Sequence, residues 1–121
     1  MVEQIAEINV TGLGGFLMAK CGAAHSRRKP KDWYDIAYVL LDNDAGGVAA
    51  AADVVRAQFG PDVAAMRTAL DDLRDNFADV AAQGTVAYAD EMLANHPNLE
   101  HRTLLGDGVT AVGEFHALVT S

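Results

Sequence analysis

The 121-residue chain is 50% hydrophobic and 21% charged, a composition that predicts one packed domain over residues 1–121 and excludes disorder. Seventeen acidic residues against nine basic ones give a net charge of −8, which disfavours delocalised binding to DNA. No apolar run approaches the ~20 residues that cross a bilayer, so no membrane interaction is expected. The single cysteine, Cys21, and the lack of basic residues in positions 1–10 predict a cytoplasmic protein without a secretory signal.

The first half of the chain predicts one strand followed by two helices. Polar and apolar residues alternate over residues 3–10, which is typical of a strand, and residues 11–15 form a glycine-rich turn. A first helix is expected from residue 13 or 15 to about residue 26, and residues 27–30 form a connector. A second helix is expected from Lys31 or Asp32, with a buried stripe at helical spacing that consists of Trp33, Ile36, Ala37 and Leu40.

The second half predicts only helices. An alanine-rich helix covers residues 48–59, and an apolar repeat from Val63 to Val80 predicts one long amphipathic helix after a cap at residues 60–62. A further helix should run from Gly84 and Thr85 to about residue 95, and a last one from about 102 to 119 with interruptions at Gly106 and Gly108. The predicted fold is therefore mostly α: a bundle of five to six helices over residues 13–121, with one N-terminal β-strand in residues 1–12.

The predicted strand has no partner within the chain. An unpaired strand leaves backbone donors and acceptors without hydrogen bonds. We therefore expect the strand to pair with another chain, either in a homo-oligomer or in a complex with a second polypeptide.

The basic residues are concentrated in one segment. Residues 1–31 hold five basic and two acidic residues, and the rest of the chain holds four basic and fifteen acidic ones. Such a segment is either a solvated loop or a site for one phosphate-rich ligand. The five basic residues are Lys20, Arg27, Arg28, Lys29 and Lys31.

Two aspartates follow this basic segment directly. Asp32 and Asp35 are three residues apart at the start of a helix, so they share one face. Together with Lys20 and the basic connector they could bind a triphosphate with Mg²⁺, or they could be a pair of capping acids that form salt bridges to the neighbouring loop.

The remaining chemistry-bearing residues predict little. The four histidines have no metal-ligand spacing, so no metal site is expected from them, and Cys21 is predicted to be a small core residue. The aromatic residues of the second helix are either core residues or a platform on which nucleobases stack. These are Trp33, Tyr34 and Tyr38.

At these residues the sequence resembles the C-terminal half of the AbiEii/AbiGii-type nucleotidyltransferase toxins, a branch of the polymerase-β-like superfamily. The shared pattern is a glycine-containing turn (11–15), an apolar helix with a lysine (16–20), a basic linker (27–31) and the motif Lys-Asp-Trp-Tyr-Asp (31–35). The likeness is strongest over residues 8–47. The Gly-Ser turn that precedes the metal-binding Asp-x-Asp pair of this superfamily is absent from the sequence. Asp42-Asn43-Asp44 has the Asp-x-Asp spacing, but it follows a predicted helix and precedes a Gly-Gly turn, so it lacks the strand context of the family motif.

The resemblance implies transfer of a nucleotide from an NTP to an acceptor, in a toxin–antitoxin or abortive-infection system. It implies that Lys20, with Arg28 and Lys31, binds the nucleotide phosphates. Asp32 and Asp35 are implied as catalytic residues, either as the acceptor-activating base or as partners that orient Lys20. Mg²⁺ and NTP are expected only if the missing half of the site is supplied, and the chain alone is expected to be inactive.

Three hypotheses follow from the sequence, and two of them assign a function; the third is a degenerate structural remnant that binds no ligand. The first is the C-terminal domain of an AbiEii-like nucleotidyltransferase, whose partner is an N-terminal catalytic half or an antitoxin. The second is a small helical protein–protein interaction module, similar to an antitoxin, that uses its acidic helical surface.

Overall fold

The computed structural model describes residues 12–121, which form a helical bundle. The α-helices are α1 (Leu13–Arg27), α2 (Pro30–Leu41), α3 (Val48–Phe59), α4 (Arg67–Asp75), α5 (Gln83–Asn95) and α6 (His101–Thr120), and a 3₁₀ helix (Gly60–Met66) precedes α4. The prediction of a mostly α fold is confirmed. Residues 12–121 contain no strand, and the strand predicted at residues 3–10 lies outside the described residues.

Helix α1 begins at Leu13, the earlier of the two predicted starts. Residues 13–15, which the sequence also assigned to a glycine-rich turn, form its first helical turn after Gly12. Its buried side includes Leu17, Cys21 and Ala24, each 1% exposed. Burial raises the pKa of the Cys21 thiol to about 12, so the thiol is protonated at neutral pH and packs as a small core side chain.

The linker between α1 and α2 is only two residues long. Arg28 ends α1 in the left-handed conformation (φ 55°), and Lys29 precedes α2 with an extended backbone. Helix α2 begins at Pro30, one residue before the earliest predicted start, because proline has the backbone angle of the first helical position and needs no hydrogen bond there. The predicted stripe of Trp33, Ile36, Ala37 and Leu40 is buried.

The prediction of one long amphipathic helix over residues 63–80 is wrong. The chain forms the 3₁₀ helix, then α4, and leaves the α-helix at Asn76. The carbonyl of Asn76 accepts hydrogen bonds from the backbone N–H groups of Gly84 (2.7 Å) and Thr85 (3.2 Å), which bring the start of α5 against the end of α4. Consequently Phe77 lies in a turn and its side chain is buried in the core, whereas Val80 is 53% exposed.

Helix α6 is continuous, which also differs from the prediction. Glu100 caps it by accepting hydrogen bonds from the N–H groups of Arg102 and Thr103. Gly106 and Gly108 do not interrupt it. Gly108 is buried where α6 crosses α5, and a Cβ there would lie 3.3 Å from Tyr88 Cδ2.

The bundle is arranged around α2 and α6. Helix α6 packs against α2, α3, α4 and α5, while α1 packs against α2, α3 and α4, and the most extensive contact joins α2 to α5. The largest fully buried side chains are Trp33, Phe77 and Phe115. Among the helices between residues 12 and 121, none has both the length and the hydropathy for a membrane crossing.

The contact between α4 and α5 gives a stability prediction. A Cβ at Gly84 would lie 2.5 Å from Phe77 Cε1 and 2.7 Å from the Asn76 carbonyl oxygen. Gly84→Ala is therefore expected to lower the free energy of unfolding by about 1–3 kcal/mol, measured by urea denaturation.

Gly106→Ala is the matched control. Gly106 lies inside α6, and a Cβ there would meet no atom of another element within 4 Å. This variant should be more stable by about 0.5–1 kcal/mol, because alanine is the better helix former. Equal stability of the two variants would contradict the close α4–α5 contact.

Candidate functional site

The structure brings Lys20 together with both predicted aspartates. Lys20 Nζ on α1 lies 2.9 Å from Asp35 Oδ2 and 3.3 Å from Asp32 Oδ1, both at the start of α2. Lys31 Nζ lies 3.2 Å from Asp35 Oδ1. We call these four residues with Arg27 the Lys20 cluster. It joins α1 to α2 across their short linker and carries one more positive than negative charge.

Arg27 completes the cluster at Asp32. Its Nη2 donates to Asp32 Oδ1 at 2.7 Å and its Nε to Asp32 Oδ2 at 3.2 Å, a bidentate pair. Asp32 is only 2% exposed, so its carboxylate depends on these cations for neutralisation. The sequence placed Arg27 in the basic linker but assigned it no role. The feature that could have indicated its role is its position five residues before Asp32, on the other side of a short linker.

The two aspartates differ in their access to water. Both oxygens of Asp32 accept hydrogen bonds from Arg27, and its side chain is 3% exposed. The Asp35 side chain is 18% exposed and contacts the ammonium groups of Lys20 and Lys31. Asp32 is thus the buried anchor of the cluster, and Asp35 lies at its solvent-facing edge.

Asp35 also shifts the pKa of Lys20. The hydrogen bond to Asp35 is the main cause that raises the pKa of Lys20 above 10.5, and Asp32 adds to it, whereas partial burial acts in the opposite direction. Lys20 is therefore charged at neutral pH. Its side chain remains 25% exposed, so the ammonium group is accessible from solvent.

Arg28 lies away from the Lys20 cluster. Its Nη1 is 3.1 Å from Asp72 Oδ2 on α4, and its guanidinium lies 5.6 Å from the centre of the Trp33 ring. His25 Nδ1 is 3.4 Å from the same Asp72 oxygen. Of the three predicted phosphate-binding residues, the structure therefore brings Lys20 and Lys31 together and directs Arg28 to α4.

A second polar group is centred on the buried imidazole of His116. His116 on α6 is 7% exposed, and its Nε2 lies 2.7 Å from Asp71 Oδ1, which also accepts a hydrogen bond from Arg67 Nε at 2.9 Å. The hydrogen bonds from His116 and Arg67 lower the pKa of Asp71. This group joins α4 to α6 and was not predicted, because the two residues are far apart in the sequence.

The Lys20 cluster is partly exposed, since the side chain of Lys20 is 25% and that of Lys31 77% exposed. Two surface depressions elsewhere have volumes of about 360 Å³, lined by residues that include Arg67 and Val119, and about 350 Å³, lined by residues that include Val86 and Asp90. Neither is lined by a residue of the cluster.

The donor set of the cluster does not fit Mg²⁺. Both carboxylates are bound to ammonium or guanidinium groups, which would have to move before a cation could take their place. Within residues 12–121, no three His, Cys, Asp or Glu side chains are grouped as a metal site. The accessible ammonium groups of Lys20 and Lys31, in contrast, fit an anion such as a phosphate.

Comparison with protein-family models, with curated proteins and with solved structures finds no match to this chain.

The burial of Asp32 predicts a difference between the two aspartates. Asp32→Asn should lower the free energy of unfolding by about 2–3 kcal/mol, less than the ~3–5 kcal/mol typical of a fully buried pair because Arg27 and Lys20 remain partly in water. Asp35→Asn, on the same helix, should cost under about 1 kcal/mol. Urea denaturation of both variants measures this, and a larger loss for Asp35→Asn would contradict the role of Asp32 as the anchor.

The raised pKa of Lys20 predicts a pH dependence of stability. A basic group whose pKa is higher in the folded than in the unfolded chain stabilises the fold fully below its unfolded pKa, here near 10.5, and loses this contribution as the pH rises through the folded value. The difference in unfolding free energy between the wild type and Lys20→Met should thus be constant at neutral pH and shrink above pH 10.5. A difference that grows in this range would contradict the ion pairs of Lys20.

Proposed function

We propose that this chain is the C-terminal, phosphate-binding part of a nucleotidyltransferase similar to the AbiEii/AbiGii-type toxins. The observation that carries the proposal is the convergence of the Lys20 ammonium on both carboxylates of the Lys-Asp-x-x-Asp motif, at 3.3 Å from Asp32 and 2.9 Å from Asp35. These are the residues on which the resemblance rests, and they come from two different helices.

In this proposal Lys20 and Lys31 contact the phosphates of the nucleotide. Lysine ammonium groups bind phosphate as point charges, and both of these groups have access to solvent. Asp32 and Asp35 act as positioning residues that hold the two ammonium groups in place. Because Arg27 already donates to both oxygens of Asp32, that carboxylate orients Lys20 and does not take a proton from the acceptor. Arg28 contributes by fixing the linker against α4.

The catalytic metal has to be bound by residues outside this cluster. An NTP-dependent nucleotidyl transfer uses Mg²⁺ to neutralise the reacting phosphates and to align the attacking oxygen. Because the cluster does not fit Mg²⁺, the metal ligands belong to an N-terminal catalytic half, on another polypeptide or another stretch of chain. With its own residues alone the chain binds nucleotide weakly and is inactive.

Titration with ATP and Mg²⁺, followed by amide NMR shifts, tests the proposal. At millimolar nucleotide we expect shifts centred on residues 20 and 31–35, because the phosphates would displace water from the ammonium groups. Lys20→Ala should abolish these shifts. Lys31→Ala should weaken binding without loss of structure, because the Lys31 side chain is 77% exposed.

Lys29→Ala is the control for this titration. Lys29 is exposed in the same linker and carries the same charge, but no hydrogen bond or ion pair of its side chain occurs within the described part of the chain. It should leave the shifts unchanged. Equal loss in Lys29→Ala would indicate non-specific attraction to the basic segment, and no shifts at millimolar ATP would overturn the proposal in favour of a protein–protein interaction module.

A further inference from the structure

Helix α2 has a second face beside its buried stripe. Lys31, Tyr34, Asp35 and Tyr38 have the spacing i, i+3, i+4 and i+7, which places them on one side of a helix. None of the four is fully buried. Two residues of the Lys20 cluster and two tyrosines therefore share one accessible face.

The two tyrosines belong to a stack of three rings. The ring centres of Tyr34 and Tyr38 are 5.7 Å apart with planes inclined by 23°, and those of Tyr34 and Tyr88 on α5 are 6.2 Å apart with planes inclined by 25°. Tyr88 is 3% exposed, so it anchors the stack in the core, whereas Tyr38 is 38% exposed. The stack thus holds an aromatic ring at the surface in a defined orientation.

The stack is contiguous with the cations of the Lys20 cluster. Lys31 Nζ lies 5.7 Å from the centre of the Tyr34 ring and also contacts Asp35, which in turn contacts Lys20. Burial raises the pKa of Tyr88 to about 12, and Asp42 raises the pKa of Tyr38, so both phenols are neutral at physiological pH. Neutral rings beside ammonium groups form a surface that suits a ligand with one planar aromatic end and one anionic end.

We propose that Tyr38, supported by Tyr34, is the platform on which the base of the bound nucleotide stacks while its phosphates contact Lys31 and Lys20. This inference rests on the proposed function. It adds recognition of the base, which the ammonium groups do not bind. A stacking platform accepts every base, since each base has a π-face, so it selects nucleotides over inorganic phosphates without reading a particular base by hydrogen bonds.

A purely structural role explains less of this arrangement. A contact between α2 and α5 requires only Tyr34 and Tyr88, which already join the two helices. Tyr38 extends the stack away from the core, into solvent, on the side of α2 that carries Asp35. The third ring therefore adds an accessible aromatic face on the side of α2 that carries Lys31 and Asp35, about two helical turns after Lys31.

A comparison of ATP with inorganic triphosphate tests the platform on the whole chain. For the wild type we expect tighter binding of ATP than of inorganic triphosphate. Tyr38→Ala should weaken ATP binding at least about fivefold, a loss typical of one stacked base, and leave the affinity for triphosphate unchanged. Tyr38→Phe should bind ATP as the wild type does, because it keeps the ring.

Leu41→Ala is the matched control, since Leu41 is 39% exposed on the same helix. It should bind ATP normally. Equal affinity of the wild type for ATP and triphosphate, or an equal loss for Tyr38→Ala with both ligands, would overturn the platform and leave the proposed function standing.

Adenosine separates the remaining outcomes. Shifts at Tyr38 with adenosine, in a chain that binds no triphosphate, would overturn the phosphate site and with it the joint binding mode proposed here. A chain that binds none of the three ligands would overturn both proposals.

Discussion

The neutralisation of the Asp32 carboxylate is the constraint on which the end of the bundle that holds α1 and α2 depends. A carboxylate that is 2% exposed is stable only beside cations, and Lys20 and Arg27, both from α1, supply them. Since Asp32 lies in the first turn of α2, these contacts fix the start of α2 against the side of α1. The positions of Asp35, Lys31 and the tyrosine stack follow from this placement, because all of them lie on the same helix. One buried charge thereby orders the whole candidate site.

The short linker directs two consecutive arginines to different helices. Arg27, the last residue of α1, reaches Asp32, and Arg28, in the left-handed conformation, reaches Asp72 on α4. A helical continuation would have placed the two side chains about 100° apart around one helix axis. The left-handed residue ends α1 at this point. The linker therefore connects the candidate site to α4 as well as to α2.

Local patterns in the sequence predicted what depends on local interactions. The buried stripe of α2 and the bounds of α3 follow from apolar spacing and from glycine and proline positions, and both match the structure. The end of α4 could not be predicted from apolar spacing. It is set by hydrogen bonds between the Asn76 carbonyl and the backbone N–H groups of residues 84 and 85, which lie beyond the end of α4 in the sequence. The sequence indicated Lys20, Asp32 and Asp35 as one group, but it assigned Arg28 to the phosphate site and gave Arg27 no role. In the structure Arg27 contacts Asp32, and Arg28 contacts Asp72. Which of the two arginines reaches Asp32 depends on the left-handed backbone conformation of Arg28 (φ 55°).

The Lys20 cluster differs in charge from the rest of the chain. The chain has a net charge of −8, yet the Lys20 cluster has more cations than anions and lies beside the exposed Lys29. The acidic remainder disfavours a polyphosphate, whereas the Lys20 cluster offers the proposed ligand a net positive charge. The same two aspartates that order the cluster also reduce its attraction for phosphate, because each already neutralises a lysine. In the proposed function, tight binding of a nucleotide therefore needs further positive charge from a metal-bearing partner surface.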